Sequence, residues 1–212
     1  KTAYPFGISN FLEAKGNIGT VQIRDPIDIW KSTYQYSATW TQNKSLKNDL
    51  ATELLEEFKA GLPLFLKQYN TSYKLWMDQL KKNNFPLVFM KYEDIVKDAK
   101  TELHQIFAFL LGVEDVSDCY VSTRIEKTLG DASSGKTYVR RNKDKEAALV
   151  TQEIKDLVAQ ECADVLLFFG YAGFEEGDKA YVIKNPTEEQ KALVDGYRAH
   201  NMEVTKLHAQ NF

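Results

Sequence analysis

The stretch Val21-Gln22-Ile23-Arg24-Asp25-Pro26-Ile27-Asp28-Ile29-Trp30-Lys31-Ser32 changes its period in the middle. Before Asp25 the apolar residues Ile18, Val21 and Ile23 alternate loosely, which predicts a short strand from Ile18 to Arg24. Pro26 cannot donate to a ladder, so it stops the strand. It suits the first turn of a helix, where a missing N–H costs nothing. A helix from Ile27 to Ser37 follows, with Ile29, Trp30 and Thr33 facing inward. A strand, a tight turn and a helix in succession form the unit that presents backbone N–H groups to an anion. Arg24 stands at the strand tip and Ser32 on the helix behind it, a guanidinium and a hydroxyl suited to one phosphate. The competing reading is a surface Arg24 paired with Asp28.

Downstream, Leu46, Leu50, Leu54, Leu55 and Phe58 recur at helical spacing behind Ser45, with Gly61 and Pro63 expected to end that helix. A second helix is expected from Leu64 to Lys82, broken by Asn83-Asn84. Its aromatic stripe, which includes Phe65, Tyr69, Tyr73 and Trp76, reads as core before it reads as a ligand box. Leu87-Val88-Phe89-Met90 is a compact apolar run, as expected of a strand buried on both faces. A helix over 101–111 stops at Gly112, with His104 off its apolar face and therefore solvated. The polar stretch from Val113 to Ala148 shows no period and reads as a long loop. Thr151 caps a helix over 152–169 that ends at Gly170. Residues 171–186 read as a linker. Thr187-Glu188-Glu189-Gln190 has the form of a capping box and opens a tail helix carrying Leu193, Val194, Tyr197, Val204 and Leu207. Strands that are each followed by a helix predict an α/β layer fold with a parallel sheet.

Composition narrows the function. The 212 residues are 43% hydrophobic and 27% charged, which excludes wholesale disorder. A net charge of −3 offers no basic surface for nucleic acid, so any anion site must rest on a few placed cations. No apolar run approaches the roughly 20 residues of a membrane span. Two cysteines, Cys119 and Cys162, build neither a disulfide framework nor a four-ligand zinc site. The patterns Asn43-Lys44-Ser45 and Asn70-Thr71-Ser72 fit N-glycosylation but are expected by chance at this Asn content. Gly130-Asp131-Ala132-Ser133-Ser134-Gly135-Lys136-Thr137 satisfies the nucleotide P-loop pattern. That mechanism needs a buried strand before it and a helix after it. Ser122 to Thr128 is too polar for the strand, and Tyr138 to Lys143 has no helical apolar face.

The sequence resembles the sulfotransferases that use 3′-phosphoadenosine 5′-phosphosulfate (PAPS) and release adenosine 3′,5′-bisphosphate (PAP). Residues 21–36 match that family's strand and its Arg-Asn/Asp-Pro-x-Asp-x-x-x-Ser segment. Leu87 to Ile95 is similar to its strand with Tyr-Glu-Asp, and Ile106 to Gly112 to its helix ending in Phe-Leu-Gly. The resemblance implies a three-layer α/β fold of P-loop-kinase-like layout, with a central parallel sheet flanked by helices. It implies that Arg24 and Ser32 bind the 3′-phosphate and Tyr92 the adenine, with Ser122 or Thr123 also on the adenine from a loop. Arg140-Arg141-Asn142 holds the place of the family's Arg-Lys-Gly phosphate loop, so Arg140 and Arg141 are the matching cations. Arg141 replaces Lys there and Asn142 replaces Gly.

Two family features are not matched. The phosphosulfate-gripping loop would lie upstream of Lys1. The family's base, a His in Lys-Thr-His-x-Pro, falls on Ala3 of Lys1-Thr2-Ala3-Tyr4-Pro5. Sulfuryl transfer needs a base to take the acceptor's proton, and losing one typically costs about 10²–10⁴-fold. The expectation is therefore a transferase moving a sulfuryl group from PAPS to the hydroxyl or amine of a small-molecule acceptor, without a metal, and impaired as the chain stands. The acceptor pocket is expected against the helices of 62–82, using Tyr34, Tyr36 or Trp40. The sulfotransferase domain is expected over 1–171, with the linker and tail helix over 172–212. The narrow stripe of that tail suits either covering the core or forming a homodimer. A cytoplasmic location is expected, or the Golgi lumen if an anchor lies upstream. The alternatives are a noncatalytic nucleotide-binding module of this fold and a P-loop NTPase or kinase using Gly130 to Thr137.

Overall fold

The computed structural model describes residues 18–39, 55–82, 86–131, 150–175, 177 and 179–210. The chain divides into two units, one of residues 1–23, 75–137 and 197–212, the other of residues 24–74 and 138–196. Among the described residues the architecture is mixed α/β and mostly helical, with two small parallel sheets. The wider central sheet expected from the resemblance is not among them.

In the first unit, strand β1 (Gly19–Ile23) pairs in parallel with β2 (Leu87–Lys91), with Val21 opposite Phe89. Leu87, Val88 and Phe89 are buried, as the uninterrupted apolar run predicts. The carbonyl of Pro86 accepts from Gly19 N–H on the β1 side. By the alternation of an extended strand, the polar groups of Leu87 and Phe89 therefore point to the opposite edge. That edge meets the last helix of the chain, Gly196–Ala209. Asn201 accepts from Phe89 N–H at 2.9 Å and donates to Phe89 C=O at 2.7 Å. His200 Nε2 lies 2.8 Å from the Leu87 carbonyl and carries the proton that the carbonyl accepts. Two side chains thus stand where a neighbouring strand would, which satisfies buried backbone groups and closes the edge.

Two helices follow β2 directly, Tyr92–Lys97 and Ala99–Leu111. Asp98 separates them and caps the second, accepting from Thr101 N–H at 3.1 Å. Gly112 ends it in the left-handed region at φ 66°, which a side chain would strain. The next helix, Tyr120–Asp131, corrects the expectation of a loop across 113–148. Val121, Ile125 and Leu129 are spaced four apart, and Ile125 is buried. His104 is corrected as well: it is half-buried and shares a 3.2 Å hydrogen bond with the buried Ser122 hydroxyl.

In the second unit, helix Pro26–Thr39 opens at the proline, as the sequence reading expects. Helix Leu55–Lys82 continues through Gly61 and Pro63, where a break was expected; its residues up to Lys74 belong to this unit. Phe58, Leu62, Leu66 and Tyr69 are buried at a period that runs straight past the proline. Their burial, roughly 1.5–3 kcal/mol per large side chain, outweighs the roughly 3 kcal/mol of a helical proline. Gly61 allows Trp30 to lie against the helix, since a Cβ there would meet the indole at 2.9 Å. Trp30, Phe65, Tyr69, Tyr73 and Phe169 form a chain of ring contacts with centroids 4.7–6.1 Å apart. The aromatic stripe is core here.

Helix Gln152–Phe168 is capped by Thr151 and kinks at Cys162, whose φ is −123°. The 171–186 stretch contributes Tyr171, Ala172, Tyr181 and Ile183 to the core and carries a second parallel pair, Ala172–Gly173 with Tyr181–Val182. The capping box at Thr187 is present, but it opens only a short helix, Glu188–Lys191. The chain then turns at Asp195, φ 50°, before Gly196–Ala209 begins, so the expected single tail helix is two. The expected helix from Leu46 and the Asn83-Asn84 break lie outside the described residues.

Candidate functional site

The turn after β1 is organised by Asp25. Its Oδ1 accepts from Ile27 N–H at 2.8 Å, from Asp28 N–H at 3.1 Å and from the Tyr181 hydroxyl at 2.9 Å. The Arg24 carbonyl accepts from the Tyr69 hydroxyl at 3.0 Å. Burial raises the pKa of both tyrosines well above the ordinary range, and at Tyr181 the nearby Asp25 charge adds to it. Both therefore remain neutral donors. The helix start differs from the sequence expectation in one respect. The amides of Ile27 and Asp28 are already taken by Asp25 and that of Ile29 by the Asp25 carbonyl, and Pro26 has none. An anion at this turn must be recognised by side chains.

Those side chains are Arg24 and Ser32, both half-buried. Arg24 Nη2 lies 3.7 Å from Asp28 Oδ2, a loose contact, so the competing Asp28 pairing is present too. Asp28 is held more closely by Lys31, at 2.7 Å. The corner thus carries two cations, two carboxylates and a hydroxyl. The Lys31–Asp28 contact was not named by sequence reasoning, although its i,i+3 spacing on a helix could have signalled it.

Tyr92 opens helix Tyr92–Lys97 at the end of β2 in the other unit, with its side chain 37% exposed. Ser122 and Thr123 lie on helix Tyr120–Asp131 rather than in a loop; Ser122 is buried against His104 and Thr123 is exposed. Tyr34 and Tyr36 lie on helix Pro26–Thr39, and their side chains are outside the described set. Ala3, Trp40, Arg140 and Arg141 lie outside the described residues altogether. The P-loop pattern begins at the end of a helix: Gly130 and Asp131 close Tyr120–Asp131, so no strand precedes it. Among the described residues no group of three or more His, Cys, Asp or Glu is placed to hold a metal, and no helix is long and apolar enough to cross a membrane.

Arg24, the Asp25-capped turn and the first two turns of helix Pro26–Thr39, with Lys31 and Ser32, form one corner of the second unit. A family model for the sulfotransferase domain matches residues 15–155, the greater part of the chain and all of that corner. The chain belongs to the sulfotransferase domain family, and the reaction class that goes with it is group transfer. No curated protein and no solved structure matches the chain.

Proposed function

We propose that this chain binds the adenosine 3′,5′-bisphosphate part of PAPS and serves sulfuryl transfer to the hydroxyl or amine of a small-molecule acceptor. The observation that carries the reading is the family match across the corner where Arg24 and Ser32 flank one turn. In this reading the Arg24 guanidinium forks onto the 3′-phosphate and the Ser32 hydroxyl adds one neutral hydrogen bond. Lys31 supports the same charge, and Tyr92 stacks on the adenine. Arg140 and Arg141 complete neutralisation of the phosphate, while Ser122 or Thr123 adds a polar contact to the base. The nucleotide needs no metal, because side-chain cations carry its charge. Aromatic residues Tyr34, Tyr36 and Trp40 line the acceptor side.

Transfer moves SO₃ from the phosphosulfate oxygen to the acceptor oxygen or nitrogen, and the acceptor's proton must leave as the new bond forms. Ala3 cannot take that proton, so turnover is impaired by about 10²–10⁴-fold. The same substitution supports a second reading, a nucleotide-binding module that has lost its chemistry. Ala3→His in a chain carrying the upstream segment separates them: recovered transfer supports the enzyme and continued inactivity the module.

Calorimetry tests the nucleotide reading. Adenosine 3′,5′-bisphosphate should bind more tightly than ATP with magnesium. Arg24→Ala should weaken the bisphosphate by about 2–4 kcal/mol, the value of several charge-assisted hydrogen bonds, and leave 5′-AMP nearly unchanged. Equal losses for both ligands, or a preference for ATP with magnesium, would overturn it.

A further inference from the structure

We propose that the cavity bounded by Leu87–Lys91, Ala99–Leu111 and Gly196–Ala209 is a binding site for a small amphipathic ammonium ion, an alkyl- or arylamine. It lies wholly within the first unit and has a volume of about 610 Å³. That volume suits a small organic ligand. Its floor is apolar, built from Val88, Phe89, Ile106 and Ala108, three of them buried. Met202, 75% exposed, stands at its edge as an apolar side chain that a ligand would cover.

Charge selects the ligand. Five charged residues line the cavity: Asp94, Glu102, Glu114, Arg198 and Lys206. Arg198 is committed to Asp94 at 3.1 Å and to the Tyr197 hydroxyl at 3.0 Å, and Tyr197 in turn donates to Asp94. That knot is internally neutral. Glu102 and Glu114 then face a single lysine, and the carboxylate of neither forms a hydrogen bond or ion pair among the described residues. The remaining balance is negative above an apolar floor, which favours an ammonium on a hydrocarbon body over a carboxylate or phosphate. Glu102 is consistent with this. Burial, followed by the Asp94 charge, holds its carboxyl above the ordinary range, with Arg198 opposing. A cation beside it would relieve that penalty.

The probe is phenethylammonium, with 3-phenylpropionate as its anionic counterpart, titrated by calorimetry into the full chain at pH 7. The ammonium should saturate one site and bind at least about tenfold more tightly than the carboxylate, the equivalent of one charge-assisted contact. Glu102→Gln should weaken it about tenfold and Glu114→Gln several-fold, whereas Lys206→Gln should tighten it. A cation beside Glu102 lowers its pKa, so affinity falls as pH drops through the value of the free protein. Thermal melts of each variant confirm folding. Equal or tighter binding of the carboxylate, absence of saturation, or amine affinity unchanged in both Glu102→Gln and Glu114→Gln would overturn the proposal.

Discussion

Asp25 joins two parts of one unit through a single carboxylate oxygen: it caps the helix that begins at Pro26 and receives the Tyr181 hydroxyl. Asp25→Ala removes the cap, worth about 0.5–2 kcal/mol, and strands the tyrosine hydroxyl. A loss of about 2–3 kcal/mol in urea unfolding is expected, with a smaller loss for Tyr181→Phe. The capping half of this role could be read in the sequence, because the Asp-Pro pair marks the turn. The tyrosine half could not, because its partner is 156 residues away. Cysteine chemistry divides in the same residue-by-residue manner. Cys119 is exposed, whereas Cys162 is buried and its thiol is pushed up to about 12 by desolvation. Stability from keeping that thiol neutral is full below the unfolded value near 8.5 and is lost as pH rises toward 12. At pH 8 a thiol reagent should therefore label one cysteine rapidly and the second only after unfolding. Equal labelling rates would contradict the burial of Cys162.

Helices were the most legible elements wherever their stripe was wide and their punctuation agreed. Thr151, Gly112 and the Thr187 box all end or cap helices as their chemistry predicts. The errors have physical causes. Helix Tyr120–Asp131 has a stripe only one residue wide, which composition alone hides among polar neighbours. Helix Leu55–Lys82 contains two nominal breakers that buried packing overrides. Pro63 is exposed there and lacks the N–H that its turn would use. Pro63→Ala should therefore stabilise the protein by about 1–3 kcal/mol, read as a higher melting temperature. Destabilisation would show that the proline is needed where it stands. At helix Ala99–Leu111, hydrogen bonds from Thr101 hold the Asp98 carboxyl below the ordinary range. Its contribution is complete above the unfolded value and is lost as pH falls through the lower folded one. Asp98→Asn keeps a capping oxygen, so stability at pH 7 should change little. The acid limb of the melting profile should flatten relative to the parent, and parallel acid limbs would refute the role.

Across the whole chain, the parallel pairing of β1 with β2 was legible because each strand is a local apolar run ahead of a helix. The edge treatment was not, since it rests on side chains that no strand pattern announces. Asn201 satisfies both polar groups of Phe89, so Asn201→Ala should cost about 1–3 kcal/mol and speed hydrogen exchange at the Phe89 amide. Unchanged exchange would mean that some other group covers that amide. The site was legible only in part for a related reason. Arg24 and Ser32 lie within one local motif, whereas the lining of the amine cavity comes from two stretches far apart in sequence, 88–114 and 197–206. The distance between Phe89 and Asn201 has a consequence for biosynthesis. On the ribosome, Leu87–Lys91 emerges more than a hundred residues before the amide that shields it. While those residues are being made the strand's far edge is open to mispairing, and it becomes guarded only as helix Gly196–Ala209 leaves the exit tunnel.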